Sequence, residues 1–115
     1  MRSHGAAYVF ERSGTSWGQQ KRFYERDTNR TGGFATTAAI SGDTIIVGDP
    51  TYDSATADFA GAVYAYVRNG SGWSLKYTLT ANDAQFLDTL GMAIAINGDT
   101  VIAGVPHREA AYIFQ

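Results

Sequence analysis

Cysteine is missing from the 115 residues, and proline and histidine occur only twice each. Without thiols there is no disulfide framework and no thiolate chemistry, although that absence leaves the compartment open. An excess of one charge is also missing. The net charge is −2 with both signs interspersed, which gives no basic field for nucleic acid and no acidic tail. No apolar run approaches the ~18 residues of a membrane-spanning helix. The opening residues, MRSHGAAYVF, lack the apolar core and cleavage site of a signal peptide. Helical periodicity is absent throughout. No Ser/His/Asp spacing, glycine-rich phosphate loop or paired-carboxylate motif stands out either. The expectation is a non-enzyme without catalytic residues, metal or cofactor.

What the chain does hold is glycine (13), tyrosine (seven) and phenylalanine (six), the profile of many short strands joined by tight turns. It also repeats itself. Ser41–Pro50 (SGDTIIVGDP) recurs 56 residues later as Asn97–Pro106 (NGDTVIAGVP). At the same offset Gly5–Phe10 matches Gly61–Tyr66, Trp17 matches Trp73, Phe23 matches Leu79 and Phe34 matches Leu90. A further copy of the aromatic stretch opens at Ala110, 48 residues after its predecessor, because the long loop Thr51–Ala60 shrinks to His107-Arg108. A fixed period of this size marks a repeat architecture.

Each repeat reads as four strands. Phe34–Ser41 and Leu90–Asn97 carry small residues, which suit close backbone approach. Ser41-Gly42 and Asn97-Gly98 turn the chain sharply, and Asn-Gly is a strong hairpin signal. Thr44–Gly48 and Thr100–Gly104 are continuous aliphatic runs, as in strands buried on both faces. Gly5–Arg12 and its copies alternate large aromatics with small aliphatics, so Tyr8, Phe10, Tyr64, Tyr66, Tyr112 and Phe114 read as one core stripe between sheets. The fourth strand, Trp73–Thr80, places Trp73, Leu75, Tyr77 and Leu79 on one face. Its first copy, Trp17–Arg26, has Gln19 and Lys21 at the corresponding positions, which suggests a solvated capping face. A meander of about 50 residues that is apolar on both faces cannot bury itself and needs similar sheets stacked against it. Radial stacking gives the β-propeller; an antiparallel sandwich is the rival, which would leave polar outer faces on its central strands.

The candidate binding residues are few. The long loop offers Tyr52, Asp53, Asp58 and Phe59, and loops on rigid scaffolds carry function. Trp17 and Trp73 could stack sugars, though a Trp at a fixed repeat position also serves to anchor an outer strand. His107, near Glu109, reads as a loop histidine, and His4 has no evident partner. Asp27, Asn29, Asp83 and Asp88 could hold a cation weakly, though turn capping and solvation are the expected use.

These residues together resemble the bacterial FG-GAP repeat, a relative of the repeats in the integrin alpha-subunit propeller. The resemblance rests on Leu90-Gly91 and Phe34-Ala35 at the "FG" position, Gly48-Asp49-Pro50 and Gly104-Val105-Pro106 at the "GAP" position, and Gly61-Ala62-Val63-Tyr64. It implies an all-β, propeller-type blade of four antiparallel strands and, by kinship, an extracellular or cell-surface setting. Integrin-type repeats carry a calcium loop rich in carboxylates between the first two strands. Here Ser41-Gly42-Asp43 and Asn97-Gly98-Asp99 stand in its place, and one Asp cannot supply the six to eight oxygens calcium takes. Set on the blade pattern, the chain opens and stops at a third strand: strands at 5–26 from a partial preceding blade, a repeat at about 34–80, and an incomplete one at about 90–115. About two blades and one strand are too few for a ring of about four to eight, so either the chain is a piece of a longer one or copies associate to complete the ring or arc, and a homo-oligomer is the expectation. The function expected is a non-catalytic scaffold for protein binding or adhesion. A glycan-binding, lectin-like module is the alternative.

Overall fold

The computed structural model describes residues 5–24, 32–55, 57–70 and 72–115. His4, Asp27 and Asn29 lie outside the described residues. Among the described residues nine strands succeed one another: β1 (Ala6–Ser13), β2 (Ser16–Tyr24), β3 (Thr37–Ser41), β4 (Thr44–Asp49), β5 (Ala62–Asn69), β6 (Gly72–Leu79), β7 (Ile94–Asn97), β8 (Thr100–Val105) and β9 (Ala110–Phe114). They form three antiparallel meanders, β1-β2, β3-β4-β5-β6 and β7-β8-β9, with no strand out of sequence order. The central sheet is a complete four-stranded blade, and its neighbours reproduce the last two and the first three of its strands.

Three sheets stacked in succession, with the central one covered on both faces, match the blade expectation and not the two-layer sandwich. One core lies between the first and central sheets, where Phe23, Ile45, Val47 and Trp73 are buried with Ala7, Val9, Tyr64 and Tyr66 against them. The other lies between the central and third sheets, around Ile46, Val63, Ala65, Val101, Ala103 and Val105. Alternation explains the division: Ile45 and Val47 leave one face of β4, and Ile46 leaves the other. Each such aliphatic side chain contributes about 1.5–3 kcal/mol when fully buried. Across the first seam, the Arg68 guanidinium pairs with the Glu11 carboxylate.

The sheets join most tightly where glycines sit. Gly91 has a φ of 106°, and a Cβ there would stand 2.9 Å from the Ala62 carbonyl oxygen and 3.1 Å from the Asp49 nitrogen. A Cβ on Gly48 would collide with the Gly91 carbonyl oxygen and the Thr37 hydroxyl. The Thr37 hydroxyl donates to that same carbonyl oxygen at 2.6 Å. One residue from these contacts, Gly61 and Leu90 form a parallel bridge between consecutive repeats. The glycines at the "GAP" position of one repeat and the "FG" position of the next therefore meet each other. No side chain fits between the two backbones.

Four expectations need correction. The inner strands begin at Thr37 and Ile94, later than read, because Phe34–Thr36 is a turn with Ala35 at φ 67° and Gly91 occupies a conformation open to glycine. The β3–β4 and β7–β8 hairpins turn on Gly42-Asp43 and Gly98-Asp99, with Ser41 paired to Thr44 and Asn97 to Thr100. Glycine with positive φ at the first turn position is the type II′ arrangement, so the Asn before it is the last strand residue. Bulges between Val9 and Phe10 and between Ala65 and Tyr66 shift the outer-strand register. Leu75 therefore pairs with Tyr66 while Tyr77 pairs with Ala65, so the row from Trp73 to Leu79 is divided between both faces. Finally, Tyr8 and Phe10 are not core: they are 50% and 53% exposed, on the face of β1 turned away from the central sheet.

Candidate functional site

The long loop Thr51–Ala60 is built from its base outward. Asp49, buried at the end of β4, accepts from the Thr51 amide at 3.1 Å and the Thr51 hydroxyl at 2.7 Å. The Thr51 oxygen accepts in turn from the Gly33 amide at 2.8 Å, tying the loop to the segment that leads into β3. The Gly61 amide donates to the Tyr52 carbonyl at 3.0 Å and closes the loop. At its far side the Asp53 carboxylate receives the Phe59 amide at 2.9 Å, which holds Phe59 at φ 52°. Positive φ is uncommon for a bulky side chain and needs surrounding structure to hold it.

A second loop, from Asp83 to Leu90, supplies that structure. The amides of Leu87, Thr89 and Leu90 donate to the carbonyls of Asp58, Phe59 and Ala60 at 3.1, 2.9 and 2.9 Å. The two loops run as one zipped unit, with Leu87 (φ 63°) and Thr89 (φ 54°) also in the left-handed region. Buried Asp88 anchors it: the carboxylate receives the Gln85 amide at 2.8 Å and both Nε and a terminal nitrogen of Arg108 at 2.9 and 2.8 Å. Such a bidentate pair is specific in geometry as well as charge. Arg108 donates further to the Tyr112 hydroxyl at 2.6 Å, and that hydroxyl donates to Asp83 at 2.5 Å. The Tyr112 bond and the Arg108 charge hold the Asp83 carboxyl below its ordinary range. The same bond to Asp83 raises the Tyr112 hydroxyl, and Asp88 raises the Arg108 guanidinium.

This scaffolding displays an aromatic pair. The rings of Phe59 and Phe86 stand 6.4 Å apart and tilted, both exposed, with Leu87 exposed beside them. Of the residues singled out from sequence, Asp53, Asp58 and Phe59 gather here. Tyr52 faces inward, edge-on to Tyr64 at 6.3 Å. Sequence reasoning passed over Phe86 and Leu87, although two adjacent large apolar residues in a loop with no strand alternation were a readable signal. Asp88, read as a turn-capping group, does accept the Gln85 amide, but its pairing with Arg108 left no signal, since it depends on tertiary contact. The two tryptophans differ. Trp73 is 8% exposed and lies in the core between sheets, with the Arg68 guanidinium 5.1 Å from its ring centre. Trp17, at the matching position of β2, is 65% exposed. Among the described residues no group of three or more His, Cys, Asp or Glu gathers as metal ligands, and no helix is long and apolar enough to cross a membrane.

The class these features define is an all-β repeat protein of stacked antiparallel meanders joined at glycine seams. A family comparison gives the particular family: residues 17–66 and 73–114 each match the FG-GAP repeat. The chain belongs to the FG-GAP repeat family. Each matched unit opens at the Trp of an outer strand and ends on the third strand of the following sheet, so the unit straddles a seam. Searches of curated proteins and of solved structures returned no match.

Proposed function

We propose that this chain is a non-catalytic repeat scaffold that binds a protein partner through its zipped loop pair, with Phe59, Phe86 and Leu87 as the anchor. One observation carries the reading: adjoining aromatic rings stand exposed on backbone that is hydrogen-bonded between loops and fixed by a buried ion pair. A rigid apolar anchor lowers the ordering cost of binding, and aromatic residues dominate such contacts. Exposed Asp53 and Asp58 border it, so the complementary partner is an apolar segment flanked by Lys or Arg.

The test is a peptide-display selection on the 115-residue chain, followed by titration of the selected peptides against Phe86→Ser. The expected result is enrichment of basic-flanked apolar peptides and at least about tenfold weaker binding by the variant, the loss of one anchor of about 1.4 kcal/mol or more. Peptides that bind the variant as well as the parent would end this reading. The glycan alternative rests on exposed Trp17. A panel titration that quenches fluorescence, with the quench lost in Trp17→Phe, would favour it.

A further inference from the structure

We propose that the chain associates head to tail with a second copy of itself, the outer face of β1–β2 in one copy seating on the outer face of β8–β9 in the next. The proposal is independent of partner binding at the loop pair.

The repeat itself points to this contact. The face of the central sheet that carries Tyr64, Tyr66 and Trp73 is covered by the first sheet. Their counterparts 56 residues earlier, Tyr8, Phe10 and Trp17, form the outer face of β1–β2, each half or more exposed. On its other face the central sheet buries Ile46 and Ala65 against the third sheet. The counterparts are Ile102, 56 residues on, and Ile113, 48 residues on, and both are exposed, Ile113 at 65%. The chain thus carries the two halves of a packing surface it already uses twice, one half at each end. The halves are complementary and not alike, so a second copy fits in a heterologous, head-to-tail sense.

The surfaces suit this occupant in shape and extent. Where Tyr112 and Phe114 cover β5 within the chain, they pack on small and aliphatic side chains, Val63 and Ala65 among them. The outer face of β9 offers Ala111 and Ile113 at those places. An aromatic side chain buries 150–250 Å² when fully covered, so seating Tyr8, Phe10 and Trp17 removes about 300 Å² on one partner. A standard interface takes about 800 Å² per partner. The aromatic face supplies over a third of it, and the flanking strand surface adds to that. A moderate, concentration-dependent association follows.

The experiment is sedimentation equilibrium of the parent chain, of Phe10→Asp, of Ile113→Asp and of their equimolar mixture, over roughly 1–100 μM, the range in which interfaces of this size separate. Both positions are exposed, so neither change removes a core contact within the chain. Circular dichroism checks folding, with Tyr8→Ser and Ile102→Ser as second variants at the two faces. The expected result is a parent that associates with rising concentration and two variants that are each at least tenfold weaker alone. Mixed, the variants form a dimer and nothing larger, because each still carries one intact face. A parent that stays monomeric throughout overturns the proposal, as does a mixture no more associated than its components.

Discussion

The glycine seam can be tested by placing one methyl group at two matching positions. Gly48 and Gly104 occupy the same place in the repeat, 56 residues apart. At Gly48 a Cβ would collide with the backbone oxygen of Gly91 and with the Thr37 hydroxyl. Backbone cannot rotate away, so Gly48→Ala must spread the seam, at the cost of about 1–3 kcal/mol for overpacking. It also strains the Thr37–Gly91 hydrogen bond, which contributes about 0.5–1.5 kcal/mol. The total is about 1.5–4.5 kcal/mol, a fall in melting temperature of roughly 6–18 °C for a chain of this size. At Gly104 a Cβ meets nothing within 4 Å. Gly104→Ala instead restricts the unfolded chain and stabilises by about 0.4–1 kcal/mol. Thermal and urea unfolding at low micromolar concentration, where end faces stay free, should therefore separate the two variants in opposite directions. A difference within 1 kcal/mol would refute the seam as the reason for these glycines.

Two further predictions come from residues close to that seam. Ala35 holds φ 67° where its counterpart Gly91 uses φ 106°, so Ala35→Gly should relieve about 1–2 kcal/mol of left-handed strain against about 0.4–1 kcal/mol of unfolded-state entropy; urea titration should show a net gain of about 0.5–1 kcal/mol, and a loss would rule the strain out. The Asp83 carboxyl is held below its ordinary 3.8 first by the Tyr112 hydroxyl, so its contribution is complete above pH 3.8 and disappears as pH falls through the lowered value. Tyr112, raised above its ordinary 10.0 by Asp83, contributes fully below pH 10 and loses that contribution as pH climbs through the raised value. In Tyr112→Phe the Asp83 titration followed by NMR should move upward and the acid limb of the stability curve should flatten; an unmoved Asp83 would show that the hydrogen bond does not form in solution.

Much of the fold was readable because its signals are local. Period-two alternation, turn glycines and the 56-residue offset placed nine strands and three consecutive meanders, and continuous aliphatic runs such as Ile45-Ile46-Val47 announced a sheet buried on both sides. The candidate site was readable only in half. Phe59 stood in a loop long enough to notice, whereas Phe86 joins it from 27 residues away through backbone bonds that leave no pattern in composition. The Asp88–Arg108 pair was hidden for the same reason.

Sequence alone determined the repeat, the strand order and which residues are apolar, since side-chain alternation and turn chemistry act over a few neighbouring positions. Tertiary structure decided what each face meets. The bulge at Ala65–Tyr66 sends Leu75 and Tyr77 to opposite sides although their spacing says otherwise. Tyr8 and Tyr64 sit in nearly the same local sequence, yet a neighbouring sheet covers Tyr64 and leaves Tyr8 in water. Burial belongs to the contact between sheets, and no stretch of one strand encodes it.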